Sequence, residues 1–169
     1  MIKAWKFFFI KNKIKKNNPN FNFGGVSNFE FIENLNSNGY CYVGPGAFWS
    51  LKGGLSLGNN IIFGPKTSIW TYNHNYKSQI SIPYGGKDIL KPVVIGDNCW
   101  IGYGSILLPG TILGEGSIVS AGSVVSGNFP KCSLIRGNPA KVFKTLDIQR
   151  YDKLKKEKKF YENIKYKKH

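Results

Sequence analysis

A six-residue period constrains this chain more than any other feature. From Ile89, aliphatic residues stand at Ile89, Ile95, Ile101, Leu107, Leu113, Val119 and Val125. Glycine follows several of them, as Gly96, Gly102 and Gly114, and a small residue sits four places after most, as Cys99, Ser105, Thr111, Ser117 and Ser123. A helix repeats every ~3.6 residues and a strand every ~2, so neither produces this spacing. A coil of three flat strands per turn, each closed by a tight corner, does. The aliphatic and small residues then point into a narrow triangular core, and the glycines serve the corners.

A weaker tract precedes this one, at Val43, Trp49, Leu57, Phe63 and Ile69. Ile69 and Ile95 lie 26 residues apart, which is not a multiple of six, so the two tracts are out of phase. An excursion must leave the coil between them, and residues 71–92 are the segment that fits. Loops extruded from a regular scaffold are where function concentrates. A further set, Val94, Trp100, Ile106, Ile112, Ile118 and Val124, precedes each inward residue and is expected to face outward. An apolar exterior is costly in a monomer, so subunit burial and a homo-oligomer are expected.

Length and composition suit one folded unit of 169 residues with two appended ends. We divide it into a basic N-terminal segment (1–22), a β-helix domain (23–144) carrying the extruded loop, and a basic C-terminal helix or tail (145–169). The formal charge of +15 calls for an anionic partner, and much of it sits in Lys11–Lys16 and Lys153–Lys168. Those ends leave peripheral contact with a membrane open, but they also read as solvated tails. The run from Ala4 to Ile10 is too short to span a bilayer, and a cytoplasmic location is expected. Cys41, Cys99 and Cys132 are an odd number without CxxC spacing, which suggests neither a disulfide framework nor a metal site.

The segment Pro92–Phe143, PVVIGDNCWIGYGSILLPGTILGEGSIVSAGSVVSGNFPKCSLIRGNPAKVF, resembles the hexapeptide-repeat acetyltransferases, above all the maltose, galactoside and capsular polysaccharide O-acetyltransferases. The resemblance implies an all-β, left-handed parallel β-helix, a homotrimer, and acetyl-CoA held in a groove between subunits, with no metal. It also implies direct acetyl transfer to a sugar or polysaccharide hydroxyl.

Such a transfer needs a base for the hydroxyl proton. Only two histidines are present, and His169 ends a lysine-rich tail. His74 opens the extruded loop, where the family keeps its catalytic histidine, and is the expected general base. By the same resemblance Gly102 and Tyr103 meet the pantetheine or the thioester oxygen, Ala121, Ser126 and Gly127 line its groove, and Lys141 and Lys144 reach the CoA phosphates. Trp100, Tyr84 and Tyr72 are expected to wall a sugar ring, though each could equally be a packing aromatic. Where the maltose and galactoside enzymes have an acidic residue early in the chain and an Asn-Phe-Asn segment, this sequence has GPGAFWS, Gly44–Ser50.

Four alternatives compete with this reading, of which nucleic-acid binding has the charge in its favour but no recognition motif, so no nucleic-acid partner is expected. An N-acetyltransferase acting on a nucleotide-linked amino sugar would share the cofactor groove. A non-catalytic assembly module would share the coil but has no need of the histidine loop. A γ-type carbonic anhydrase needs three zinc-binding histidines. The tail from Thr145 to Lys165 is expected to form a helix with Leu146, Leu154, Tyr161 and Ile164 on one side.

Overall fold

Short strands alternating with tight corners wind into a parallel β-solenoid in this computed structural model, which describes residues 2–37 and 39–165. Successive strands fall on three faces in rotation, building stacks of seven, five and five strands. The first face stacks Phe21–Phe23, Cys41–Val43, Ile61–Phe63, Trp100–Ile101, Ile118–Val119 and Ser133–Gly137 in parallel. Asn28–Glu30, Phe48–Ser50, Ser68–Trp70, Ile106–Leu107 and Val124–Val125 form the second. Leu35–Ser37, Leu55–Leu57, Val93–Ile95, Ile112–Leu113 and Asn128–Phe129 form the third. The left-handed coil of hexapeptide repeats is the architecture that the sequence resemblance implied.

The repeat is written into the core. Ile95, Ile101, Leu107, Leu113, Val119 and Val125 are all buried, as are the small residues that follow them at Cys99, Ser105, Thr111, Ser117 and Ser123. A buried hydroxyl must find a partner. Ser105 donates to the carbonyls of Gly102 (2.9 Å) and Ser120 (3.0 Å), and Thr111 to those of Leu108 (2.8 Å) and Val125 (2.9 Å). Each therefore ties a corner to the turn above it.

Gly102 shows why these corners take glycine. A Cβ there would stand 2.6 Å from the Ala121 amide nitrogen and 2.7 Å from the Val119 carbonyl oxygen of the next turn. Stacked turns leave no room for it.

Four expectations change. The early tract buries Val43, Trp49, Leu57, Phe63 and Ile69 as expected but on a longer period: its strands begin at Cys41, Phe48, Leu55 and Ile61, steps of seven, seven and six. Cys41 pairs with Ile61, so a turn there takes 20 residues, against 18 where Trp100 pairs with Ile118. Ile89, six before Ile95, lies outside the coil in an antiparallel hairpin and is half-buried. The coil starts at Phe21, two residues before the expected boundary at 23. Finally, a six-residue step advances to the next face, so the outward apolar set is dealt among three faces: Trp100 and Ile118 on the first, Ile106 and Val124 on the second, Val94 and Ile112 on the third.

The ends are structured. Helix α1, Ile2–Asn17, lays Phe7 and Ile14 on the core at the start of the coil. At the far end the strand Ala140–Thr145 turns back antiparallel on Ser133–Gly137. The single helix expected for the tail is two, α2 (Ile148–Lys156) and α3 (Tyr161–Lys165), with a break between them. Asp147 caps α2 by accepting from the Arg150 amide at 2.9 Å. Glu115 holds α2 from the coil through Lys155, and Lys131 bridges Glu115 (3.1 Å) to Asp152 (2.6 Å). Leu146, Leu154 and Tyr161 line a cavity against the first face, while the Ile164 side chain and His169 lie outside the described residues.

Candidate functional site

Residues 71–92 leave the coil at the corner between the second and third faces. Tyr72 pairs with Leu90 and Asn73 with Ile89 in a two-stranded antiparallel hairpin. One more residue along that register sets His74 opposite Asp88. Their side chains meet, with Nδ1 of His74 2.9 Å from Oδ1 of Asp88. Lys52, on the corner one turn earlier, binds the other oxygen of the same carboxylate.

The hydrogen bonds from Lys52 and then His74 hold the Asp88 carboxyl below its ordinary range. Asp88 is therefore an ionised acceptor at neutral pH, and a neutral imidazole facing it donates from Nδ1. The lone pair of Nε2 is left free to act as a base. About half of the His74 side-chain surface is open to solvent, so an acceptor can reach it.

Aromatic rings fix the imidazole. Tyr84, from the far part of the loop, stacks on it at 4.2 Å between centroids and 13° between planes. Tyr72 meets it edge-on at 6.2 Å and carries Lys52 over its own ring at 5.3 Å. Tyr84 and Tyr72 thus share the His74 neighbourhood.

Trp100 does not. It projects from the first face, half-exposed, into a cavity of about 560 Å³ closed by α2, α3 and residues 144–147. No hairpin residue lines that cavity.

The residues expected to meet the cofactor occupy three other places. Gly102, Tyr103 and Ala121 stack at the corner between the first and second faces, where the Gly122 amide donates to the Tyr103 carbonyl at 2.8 Å. Tyr103 is exposed beneath Lys66, whose ammonium lies 5.6 Å from the ring centroid. Ser126 and Gly127 lie two turns on from the hairpin at the same kind of corner. Gly127 has φ +101°, and a Cβ there would touch nothing within 4 Å. Lys141 pairs with Arg136 on the terminal antiparallel strands, and Lys144 lines the cavity with Trp100.

Burial pushes the Cys99 thiol up to about 12 and raises Cys41 well above its ordinary value, so neither supplies a thiolate. Among the described residues no cluster of His, Cys, Asp or Glu could hold a metal ion.

Sequence reasoning missed Asp88 and Lys52. The loop bounds alone would not have found Asp88, since a hairpin folded on the centre of residues 71–92 pairs 74 with 89, one residue off the register of Tyr72 with Leu90.

The coil and its repeat define the class: this is a hexapeptide-repeat β-solenoid protein, and residues 92–127 match the family model for the bacterial transferase hexapeptide (six repeats). A Dictyostelium discoideum protein whose name marks it a candidate acetyltransferase is 43% identical over 95 residues, 56% of this chain and 49% of that one. The hexapeptide-repeat acetyltransferase of Vibrio cholerae O1 biovar eltor, solved with acetyl coenzyme A, superposes with TM-score 0.62 at 26% identity, covering 74% of this chain and 72% of that one. A maltose O-acetyltransferase of Clostridium difficile 630 superposes with TM-score 0.58 at 25% identity, covering 81% and 75%. In repeat and fold the chain is similar to these acetyltransferases. The chain spans about half the length of the curated relatives it matches.

Proposed function

We propose that this protein is an acetyl-CoA-dependent O-acetyltransferase acting on a sugar or polysaccharide hydroxyl, with His74 as general base. The observation that carries this reading is the His74–Asp88 pair, set on a hairpin extruded from an acetyltransferase-type coil with one imidazole nitrogen open. Nε2 takes the hydroxyl proton as the oxygen attacks the thioester carbonyl carbon. The new C–O bond forms, the C–S bond breaks, and the departing CoA thiolate regains the proton from the imidazolium. Asp88 keeps the imidazole in the right tautomer and offsets the charge it transiently carries. Lys52 positions Asp88.

Acetyl-CoA fits the surface on two counts. A Cβ at Gly104, Gly122 or Gly127 would meet nothing within 4 Å, so the corners offer open backbone ledges for pantetheine. Lys141 and Arg136, paired across the last two strands, set positive charge at the end of the coil, suited to the CoA phosphates. The ledges at Gly102, Tyr103 and Ala121 lie on a different corner from His74. A homotrimer, in which one subunit's hairpin faces its neighbour's ledge, would bring the two together.

The test is release of free CoA from acetyl-CoA in the presence of capsule oligosaccharides, simple sugars and nucleotide sugars. The product is expected to lose its acetyl group in mild alkali, as an ester does. His74→Ala is expected to lower turnover about 10²- to 10⁴-fold with acetyl-CoA binding retained. Equal rates for the variant and the parent would remove His74 from the mechanism.

A further inference from the structure

Helix α1 carries apolar residues on two opposite faces, and only one of them is used by the fold. Phe7, Ile10 and Ile14 point to the coil. Half a turn away, Trp5, Phe8 and Phe9 are exposed at 69, 57 and 52%. Phe9 joins the three rings, meeting Trp5 at 4.6 Å and Phe8 at 5.9 Å, both edge-on. A helix that merely capped the coil would need a single stripe.

Lysines surround the aromatic cluster. Lys6 and Lys13 are exposed on the flank, Lys16 continues the outer line, and Lys11 and Lys15 stand beside the core-facing residues. Among the described residues none of these five enters an ion pair. An aromatic wedge within unpaired lysines fits the headgroup region of an anionic bilayer, where rings sit at the acyl boundary and ammonium groups meet phosphates. A second copy of the chain fits poorly, since pairing two such helices would set the same lysines against each other.

We infer that α1 is an interfacial membrane anchor, which seats the coil on anionic lipid through Trp5, Phe8 and Phe9 with Lys6, Lys13 and Lys16 around them. The docking does not depend on the catalytic reading of His74. It does place the site relative to the lipid: Lys6, Phe9 and Lys13 line one groove together with Phe31 and Tyr72, and Tyr72 touches His74. An acceptor presented at the membrane surface would lie beside the hairpin.

The experiment is co-sedimentation of the full chain with vesicles of phosphatidylcholine alone and of phosphatidylcholine mixed equally with phosphatidylglycerol. Binding is expected only to the mixed vesicles, weakening as salt rises. The variant Trp5→Ser/Phe8→Ser/Phe9→Ser is expected to bind at least about tenfold more weakly at unchanged melting temperature. Brominated phosphatidylcholine in the mixed vesicles is expected to quench the parent more than Trp5→Phe, which reports on Trp5 without disturbing the fold. The inference is overturned if the parent stays in the supernatant, binds both vesicles equally, or shows no Trp5-dependent quenching. It is also overturned if, without lipid, the parent forms larger assemblies that the triple variant does not and neither sediments with vesicles.

Discussion

At the scale of single residues, the decisive contact is one that places no residue at a buried position. Asp88 accepts from His74 and from Lys52 at the base of an exposed hairpin, where the proposed mechanism gives it the task of orienting the imidazole. Asp88→Asn is expected to reduce turnover about 10- to 100-fold with little change in the KM for acetyl-CoA, because a neutral amide no longer dictates which imidazole nitrogen carries the proton. Steady-state kinetics check it, and a purely structural role would instead raise KM and lower the melting temperature together. Cysteine chemistry gives the complementary expectation. Cys99 is buried, its thiol is held up to about 12, and its sulfur lies 3.4 Å from the Gly114 carbonyl, so Cys99→Ser should retain turnover. Mass spectrometry after brief treatment of the folded protein with a thiol reagent should find Cys99 unmodified.

At the scale of elements, the turns and the C-terminal helix respond to different perturbations. Thr111→Val keeps the shape but removes the hydroxyl that bridges the Leu108 and Val125 carbonyls, and a melting series should show a loss of about 1–3 kcal/mol. Helix α2 is held by charge. Lys155 and then Lys131 hold the Glu115 carboxyl below its ordinary range. A carboxylate with a depressed folded value stabilises above its unfolded value and ceases to do so as pH falls through the folded one. Protease cleavage after residue 147 should therefore accelerate as pH drops below about 4, the reference for a free glutamate, and Glu115→Gln should show that rate already at neutral pH. The same elements explain what the sequence discloses. The hexad from Ile95 to Val125 is visible because each inward residue is followed six places later by another at an equivalent corner. The early turns are obscured because an extra residue in two of their three corners breaks the period without disturbing the stacking of Cys41 on Ile61. Ile89 holds the phase by coincidence, since its neighbours pair antiparallel. His74 is legible because a phase break marks its loop, whereas Asp88 emerges only from the pairing of the loop's two arms.

At the scale of the whole molecule, a single chain keeps apart what the proposed reaction must join. His74 stands at the corner between the second and third faces, and Gly102, Tyr103 and Ala121 at the corner between the first and second, with a face of the coil separating them. The apolar outer residues are also dealt to separate faces, with Val94 and Ile112 exposed on the third. A trimer that buries such a face against a neighbour would complete three sites, each from two chains. Complementation tests this directly. His74→Ala lacks the base, and Ala121→Trp fills the ledge, where the alanine amide already lies 2.6 Å from the position of a Cβ on Gly102. Each variant alone should be inactive. Unfolded together and refolded as mixed oligomers, they should regain a substantial fraction of parental turnover, because some interfaces then pair an intact hairpin with an intact ledge. No recovery from mixtures that sedimentation shows to be hetero-oligomeric would mean that base and ledge act within one chain, and the intersubunit site would have to be abandoned.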